Sequence, residues 1–140
     1  MHKVVITGIG VVSPLGSGKD VFWDMLCQGI SGISLVESMD VGEYPCKIAG
    51  EIKDFDPDAI LGKREAKKID RFTQLGVAAA VQAWQDSGLD KEITLDKDEI
   101  GVIIGSGIGG IQTIEQSGPD LAHNQGRNPD LGFHNLWLDG

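Results

Sequence analysis

Two stretches of mostly β-branched apolar residues dominate the hydrophobic pattern of the chain. The first runs from Lys3 to Val12, the second begins at Ile100, and neither alternates between apolar and polar positions. Such continuous runs are typical of strands that are buried on both faces of a sheet. Gly8 and Gly10 interrupt the first run, which indicates that another element crosses this strand closely.

Elsewhere, apolar residues recur at the spacing of helices. We expect Ser17 to cap a first helix, with Asp20 as its reciprocal partner, and Gly29 to end that helix. Asp56 and Pro57 are typical of the cap and the first residue of a second helix.

A further helical stretch, Phe72 to Trp84, is apolar almost all round, and Ser87-Gly88 should end it. A helix with this pattern is predicted to be buried. Ile111 to Leu121 predicts a last helix, and Lys47 to Ile52 predicts one short strand.

The chain is acidic and rich in glycine. Its formal net charge is -9 and its pI is about 4.6, so we expect no nucleic-acid partner and no attraction to an anionic membrane. Gly supplies 20 of the 140 residues, which indicates turns and close packing. No apolar run reaches the roughly 18 residues of a membrane span, and no signal-peptide pattern occurs, so we expect a cytoplasmic protein.

The two cysteines, Cys27 and Cys46, have neither CxxC spacing nor a neighbouring histidine. We expect both to be buried or half-buried reduced thiols, without a disulfide or metal-binding role. The sequence predicts no metal site and no cofactor.

Positive charge is concentrated in one segment of this acidic chain. Five of the 12 cationic residues fall between Lys63 and Arg71. If the segment is one helix, Lys63, Lys67 and Arg71 share a face and repel one another unless an anion lies there. Two interpretations stay open: a solvated helix face, or a docking surface for an acidic partner.

Glycines are dense after the second apolar run, and Gly105, Gly107 and Gly110 have the G-x-G-x-x-G spacing of a dinucleotide site. That site also needs a second parallel strand that ends in an acidic residue roughly 20 residues on. Asp120 and Asp130 lie at about this distance, but no apolar strand leads into either. A glycine turn that packs a helix against a sheet, or that lines an apolar pocket, would give the same sequence pattern.

Five collinear motifs carry a resemblance to a known family. They are Val4–Gly16, Gly29–Ile33, Lys63–Phe72, Ala83–Leu89 and Gly105–Gly110. In this order they resemble the N-terminal half of a β-ketoacyl-acyl carrier protein synthase, most closely type II, over about residues 3 to 122. The resemblance implies an α/β chain with a partial thiolase-like fold, the N-terminal portion of an αβαβα layered architecture.

The resemblance also implies an activity and partners. The family condenses malonyl-acyl carrier protein, with decarboxylation, onto an acyl chain that a cysteine holds as a thioester, and it works as a homodimer. Acyl carrier protein is therefore the expected partner. The basic helix that docks this acidic protein in the family corresponds to Lys63, Arg64, Lys67 and Lys68.

A second set of residues corresponds to the mouth of the family's acyl pocket. Ile108 matches the residue at this mouth, and Gly107 and Gly109 flank it, where they would let the loop lie against substrate. An acyl chain needs an apolar wall of this kind.

The family's catalytic residues have no counterpart in this sequence, and we assign no catalytic residue. Cys27 and Cys46 do not stand in the Thr-Ala-Cys-Ala-like turn of the nucleophile, and His2, His123 and His134 do not match the two family histidines. The family's catalytic site would begin beyond residue 140.

Residues 123–140 depart from the family pattern, so we divide the chain into a ketosynthase portion, 1–122, and a divergent tail that a frameshift would explain. The expected function is that of a truncated 3-oxoacyl-[acyl-carrier-protein] synthase II of fatty acid biosynthesis, inactive by itself. Two alternatives are a stand-alone module that binds acyl carrier protein and, more remotely, a nucleotide-binding domain.

Overall fold

The computed structural model describes residues 3–91 and 96–123. These ranges contain both short strands and helices. In order they are β1 (Val12–Ser13), β2 (Gly16–Ser17), α1 (Lys19–Cys27), β3 (Ser34–Leu35), β4 (Ile48–Ala49), α2 (Pro57–Leu61), α3 (Lys63–Ala66), α4 (Arg71–Ser87), a 3-10 turn (Lys97–Glu99) and α5 (Ile111–His123).

The four short strands form two antiparallel pairs. Val12 pairs with Ser17 in the first, and Ser34 pairs with Ala49 in the second. β4 confirms the strand expected between Lys47 and Ile52, although it covers two residues of that range.

Local signals define several helix ends as expected. The Asp56 side chain accepts a hydrogen bond from the Asp58 backbone N–H at 2.9 Å, and Pro57 is the first residue of α2. Gly29 follows the end of α1 at φ 69°, and Gly88 ends α4 at φ 74°, both in the left-handed region that glycine adopts most readily.

The expected Ser17 cap is wrong. Ser17 belongs to β2, and α1 begins after Gly18, which has φ 97° and provides no side-chain cap. The Ser17 hydroxyl instead accepts a hydrogen bond from Nε2 of Gln82 on α4 at 2.8 Å. Pairing with Val12 therefore holds Ser17 in the hairpin, one residue too far from the helix to cap it.

Helix α4 crosses the first apolar run closely, as the two glycines predict. A Cβ added to Gly8 would collide with the carbonyl oxygen of Ala83, and one added to Gly10 would collide with that of Ala79. Side chains of the same helix bind the backbone between them: Ile9 N–H donates to Asp86 and Val11 N–H donates to Gln82, both at 3.0 Å.

The strands expected at Lys3 to Val12 and from Ile100 onward do not form over most of their length. Residues 3–11 and 100–108 belong to no strand, and Val4 is 96% exposed and Ile103 99% exposed. The physical reason is that, within residues 3–91 and 96–123, no neighbouring strand supplies backbone hydrogen-bond partners for either segment.

Few residues of the described ranges are buried. Of the hydrophobic residues in the described ranges, Ala66 and Ala78 alone are buried. The expectation that α4 is a buried helix is thus wrong, because Ala78 is its one buried residue and the others are half-buried or exposed. Cys27 and Cys46 are also exposed, which corrects the expected burial of both thiols.

Two sequence-based expectations fall wholly or partly outside the described ranges. The tail from residue 124 onward lies there, and so do residues 92–95, which precede the second apolar run. Among the helices that the structure does describe, none is both long and apolar enough to cross a membrane.

Candidate functional site

Four cations, which we call the cationic patch, surround the end of α3. Lys63 and Arg64 lie in α3, Lys67 and Lys68 follow in the turn after it, and all four side chains are exposed. Lys68 Nζ pairs with Oε1 of Glu65 at 2.9 Å. The other three pair with no carboxylate in the part of the chain that the structure describes.

The patch is not the continuous helix that the sequence predicts. α3 begins after Gly62, whose φ of 77° turns the chain away from α2, and ends at Ala66, so the regular i, i+4, i+8 row is interrupted. Arg71 starts α4 instead. Its guanidinium donates to the Ile52 carbonyl at 3.0 Å and lies 4.7 Å from the centre of the Phe55 ring.

Contacts behind the patch fix the shape of its turn. Ala66 is 3% exposed and anchors α3 in the protein. Nε2 of Gln74, in the first turn of α4, donates to the carbonyls of Ala66 and Ile69 at 2.8 and 3.2 Å. The turn that carries Lys67 and Lys68 is therefore held by α4.

The glycine loop, residues 105–110, lies next to the start of α4. Gly109 has φ 78°, and a Cβ added to it would lie 3.6 Å from Cζ of Phe72. Gly107 has open space around it. Ile108, which lies between Gly107 and Gly109, is 72% exposed. The loop thus presents one apolar side chain outward between two glycines.

One carboxylate links the residue before α4 to the helix that follows this loop. Asp70, the residue before α4, accepts a hydrogen bond from the hydroxyl of Thr113 on α5, and a Cβ added to Gly110 would collide with the Asp70 carboxylate. The absence of a side chain at Gly110 therefore allows the close approach.

Two open cavities meet at this junction. The first has a volume of about 290 Å³ and an apolar wall formed by Phe72, Leu75, Gly109 and Ile111. The second, of about 420 Å³, is lined by polar groups that include Lys67, Gln74 and Gln112. Asp70, Arg71 and Gln112 line both cavities, so the patch and the glycine loop border one connected surface.

Sequence reasoning identified the cations and the glycines of this surface but missed the residues that join them. Asp70 and Thr113 are 43 positions apart, and nothing in a single sequence signals their contact. Gln74 gave a weaker signal, as a polar residue in the first turn of an apolar helix.

Among the residues that the structure describes, neither cysteine lies in a recognisable catalytic centre. Sγ of Cys46 donates to the Ile48 carbonyl at 3.4 Å, and Cys27 is the last residue of α1. The side chains of His2, His123 and His134 lie outside the described part of the chain. A dinucleotide site also requires a strand before Gly105, and residues 100–104 form no strand.

Curated relatives match the chain over most of its length. The 3-oxoacyl-[acyl-carrier-protein] synthase 2 of Coxiella burnetii is 44% identical over 116 residues, which are 83% of this chain and 28% of that protein. The synthases 2 of Vibrio harveyi and Staphylococcus aureus are 45% and 42% identical, over 81% and 88% of the chain and 27% and 28% of their own lengths. The chain thus spans somewhat more than a quarter of these relatives.

Solved structures show the same relationship in the fold. The ishigamide ketosynthase/chain length factor superposes with a TM-score of 0.67 at 26% identity, over 89% of this chain and 32% of that one. A structure of a type II PKS acyl-carrier protein in complex with its ketosynthase gives 0.66 at 27% identity, over 89% and 34%. These matches confirm the partial thiolase-like fold.

The protein-family model described as the N-terminal domain of β-ketoacyl synthase matches residues 1–133 of the chain. Together with the relatives and the shared fold, this match confirms the resemblance that the five motifs carry. The chain belongs to the β-ketoacyl synthase family, of which it represents the N-terminal domain.

Proposed function

We propose that this chain contributes the N-terminal part of a type II 3-oxoacyl-[acyl-carrier-protein] synthase. The reaction of the whole enzyme is the decarboxylative condensation of malonyl-acyl carrier protein with an acyl chain. Within it, residues 1–122 dock the carrier protein and provide part of the acyl-pocket wall.

The observation that carries the docking role is the cationic patch in a chain of net charge -9. Lys63, Arg64 and Lys67 are exposed and have no ion-pair partner among the described residues, so their charge is available to an external anion. An acidic protein is steered to such a patch, while the acidic remainder of the surface repels it elsewhere.

The acyl-pocket role is supported by the glycine loop. Ile108 provides an exposed apolar side chain, and Gly109 is packed on Phe72 beside a cavity with an apolar wall. An acyl chain gains free energy when such surface is removed from water. The proposal further includes a homodimer and a cytoplasmic location, where the carrier protein is available.

Titration with acyl carrier protein tests the docking role. We expect the Lys67→Glu, Lys68→Glu double variant to bind at least about tenfold more weakly than the wild-type chain, because like charges then face the carrier protein. Isothermal titration calorimetry at low ionic strength would measure this affinity.

The matched control is the Lys47→Glu, Lys91→Glu double variant, which changes the net charge equally at exposed lysines outside the patch. Its affinity should fall much less. Equal losses in the two double variants would show that net charge, not the patch, determines binding, and would overturn the docking role.

The stand-alone binding module remains the second candidate, because the patch needs no catalytic residue to bind a carrier protein. If the chain is part of a synthase, a longer reading frame should encode the rest of that enzyme. If the chain is a stand-alone module, it should not. Sequencing the gene across codons 120 to 160 tests the frameshift hypothesis for residues 123–140, which fails if the shifted frame meets a stop within a few codons.

A further inference from the structure

Asp70 is the residue before α4, at the position from which an aspartate normally caps a helix. Its backbone has the extended conformation of an N-cap, at φ -63° and ψ 156°, but its side chain accepts no hydrogen bond from the first turn of α4. Asp56 takes the same position on α2 and does cap that helix, through the Asp58 N–H. Asp70 therefore departs from its local preference, and such departures are expected where a residue has a role elsewhere in the fold.

The Asp70 carboxylate lies instead at the start of α5. It accepts the hydrogen bond from the Thr113 hydroxyl, in the first turn of that helix, and occupies the space that the missing side chain of Gly110 leaves. The first turn of α5 contains no acidic residue of its own. Because the N-terminal end of a helix carries a partial positive charge, a carboxylate at this place stabilises α5. Asp70 thus supplies, from a different element, the negative charge that this first turn lacks.

Contacts at the start of α4 and α5 also fix one end of the glycine loop. Gly110, the last residue of the loop, lies against the carboxylate, and Gly109 packs against Phe72. A Cβ added at the earlier glycines of the loop would meet nothing within 4 Å. The loop is therefore held where it meets these two helices, and Ile108 lies next to that anchored end.

The segment before Asp70 belongs to the cationic patch. Nε2 of Gln74 donates to the carbonyls of Ala66 and Ile69, which enclose two lysines of the patch. Residues 66–72 thus border the patch at one end and the glycine loop at the other, and hydrogen bonds or packing hold both ends of this short segment.

We propose that Asp70 is a positioning residue for the acyl wall. Its carboxylate holds the first turn of α5 through Thr113 and thereby keeps Ile108 at a defined place relative to a carrier protein on the cationic patch. An acyl chain that arrives from the patch then meets the loop in one conformation, which lowers the entropy cost of the contact. The role of Asp70 rests on the acyl-pocket role proposed above for Ile108.

Thr113→Val tests the contact without changing a charge near the cationic patch. The variant removes the hydroxyl and keeps a side chain of the same shape, so its affinity for acyl carrier protein, measured by isothermal titration calorimetry, should be unchanged. With a carrier protein that bears a photoreactive diazirine acyl group, we expect the label on the tryptic peptide of residues 98–127 to fall at least about fivefold, because a displaced loop no longer meets the acyl chain. Thr113→Ser keeps the hydroxyl and should restore the label.

Hydrogen exchange tests the positioning without a carrier protein. In Thr113→Val, the N–H groups of residues 109–112 should exchange at least about tenfold faster, while those of residues 79–84 in α4 keep their rate. Thr7→Val makes the same substitution at an exposed threonine outside the loop and should change neither rate. Asp70→Ala should accelerate the same N–H groups, and the double variant with Thr113→Val should exchange no faster than Asp70→Ala, since both substitutions remove one contact.

The two measurements separate the role of Asp70 from that of the acyl pocket. Exchange at residues 109–112 that is as slow in Thr113→Val as in the wild-type chain would overturn the positioning role. Equal labelling of these two chains would overturn its consequence for the acyl chain. A wild-type chain that takes up no label on the peptide would reject the acyl-pocket role itself, and the exchange rates would still decide whether Asp70 holds the loop.

Discussion

At the scale of single residues, the absence of a side chain decides how closely α4 approaches the first apolar run. Gly10 packs on the carbonyl of Ala79 so tightly that a methyl group has no space. We expect Gly10→Ala to lower the free energy of unfolding by about 2 kcal/mol, as overpacking against an unyielding backbone does. Urea unfolding followed by circular dichroism would measure the change.

Gly101 provides the matched control, because an added Cβ would meet nothing within 4 Å and its φ is not positive. Gly101→Ala should leave the free energy of unfolding nearly unchanged. If the two alanine variants were equally stable, the close crossing at Gly10 would have no energetic consequence.

Residue signals that act locally were readable in the sequence. Asp56 caps α2 through an N–H two positions away, and Gly88 ends α4 because it adopts a left-handed φ. The link between Asp70 and Thr113 was not readable, because it depends on how α4 and α5 meet. Ser17 shows the same limit, since a strand pairing overrides its preference for capping.

At the scale of elements, an ionic contact joins α1 to α4. Lys19 Nζ pairs with the Asp86 carboxylate, which also accepts the Ile9 N–H. The hydrogen bond from Lys19, followed by that from Ile9, holds the pKa of Asp86 below its ordinary value, and the bond to Asp86 raises the pKa of Lys19. The ion pair therefore links the folding equilibrium to pH at both ends of the scale.

The two shifts have opposite signs. The Asp86 contribution is present above the unfolded pKa of about 3.9 and is lost as pH falls through the lower folded value. The Lys19 contribution is present below about pH 10.4 and is lost as pH rises through the higher folded value. Both contributions are therefore complete between about pH 5 and pH 9.

Asp86→Asn tests this link. The difference in urea midpoint between wild type and the variant should be constant from about pH 5 to pH 9 and should shrink below about pH 4. Asp24→Asn on α1, which removes an exposed carboxylate that has no ion pair among the described residues, is the matched control for the loss of one negative charge. A difference as large at pH 3 as at pH 7 would contradict the assignment.

The helical spacing of the basic residues predicted a shared face that the structure does not form. The row of Lys63, Lys67 and Arg71 presupposes one helix, but the chain leaves helical geometry after Ala66 and Arg71 turns to Ile52 and Phe55. The charge concentration was predictable because it is a property of composition. The turn was not, because the amide of Gln74 on a different helix holds it.

At the scale of the whole molecule, the proposed acyl wall and the docking patch border one surface. A carrier protein that docks on the patch should therefore deliver its acyl chain to the glycine loop. We expect a carrier protein with a photoreactive diazirine acyl group to label the tryptic peptide Asp98–Arg127, which contains Gly107, Ile108 and Gly109. Mass spectrometry after irradiation would locate the label.

Ile108→Glu should reduce this labelling by about tenfold, because a carboxylate disfavours contact with an apolar chain. Met39→Glu is the control, since Met39 is also an exposed apolar residue, at 54%, and lies outside the loop. Undiminished labelling in Ile108→Glu would remove Ile108 from the acyl pocket while leaving carrier-protein docking intact.

The overall fold was predictable from five collinear motifs, and the shared fold of the ketosynthases confirms it. The strands were predictable as sequence patterns but not as formed elements. Val4 and Ile103 have the side chains of a sheet interior, yet a strand forms when another backbone pairs with it, and no such pairing occurs within the described ranges.

The amide of Gln74 has a consequence for the carrier-protein docking that we propose. It holds the turn through the carbonyls of Ala66 and Ile69, and so through main-chain atoms that every residue possesses. Lysines at 67 and 68 can then be exchanged without altering the path of the chain. Substitutions at positions 67 and 68 should thus change the charge of this turn while its backbone conformation stays the same.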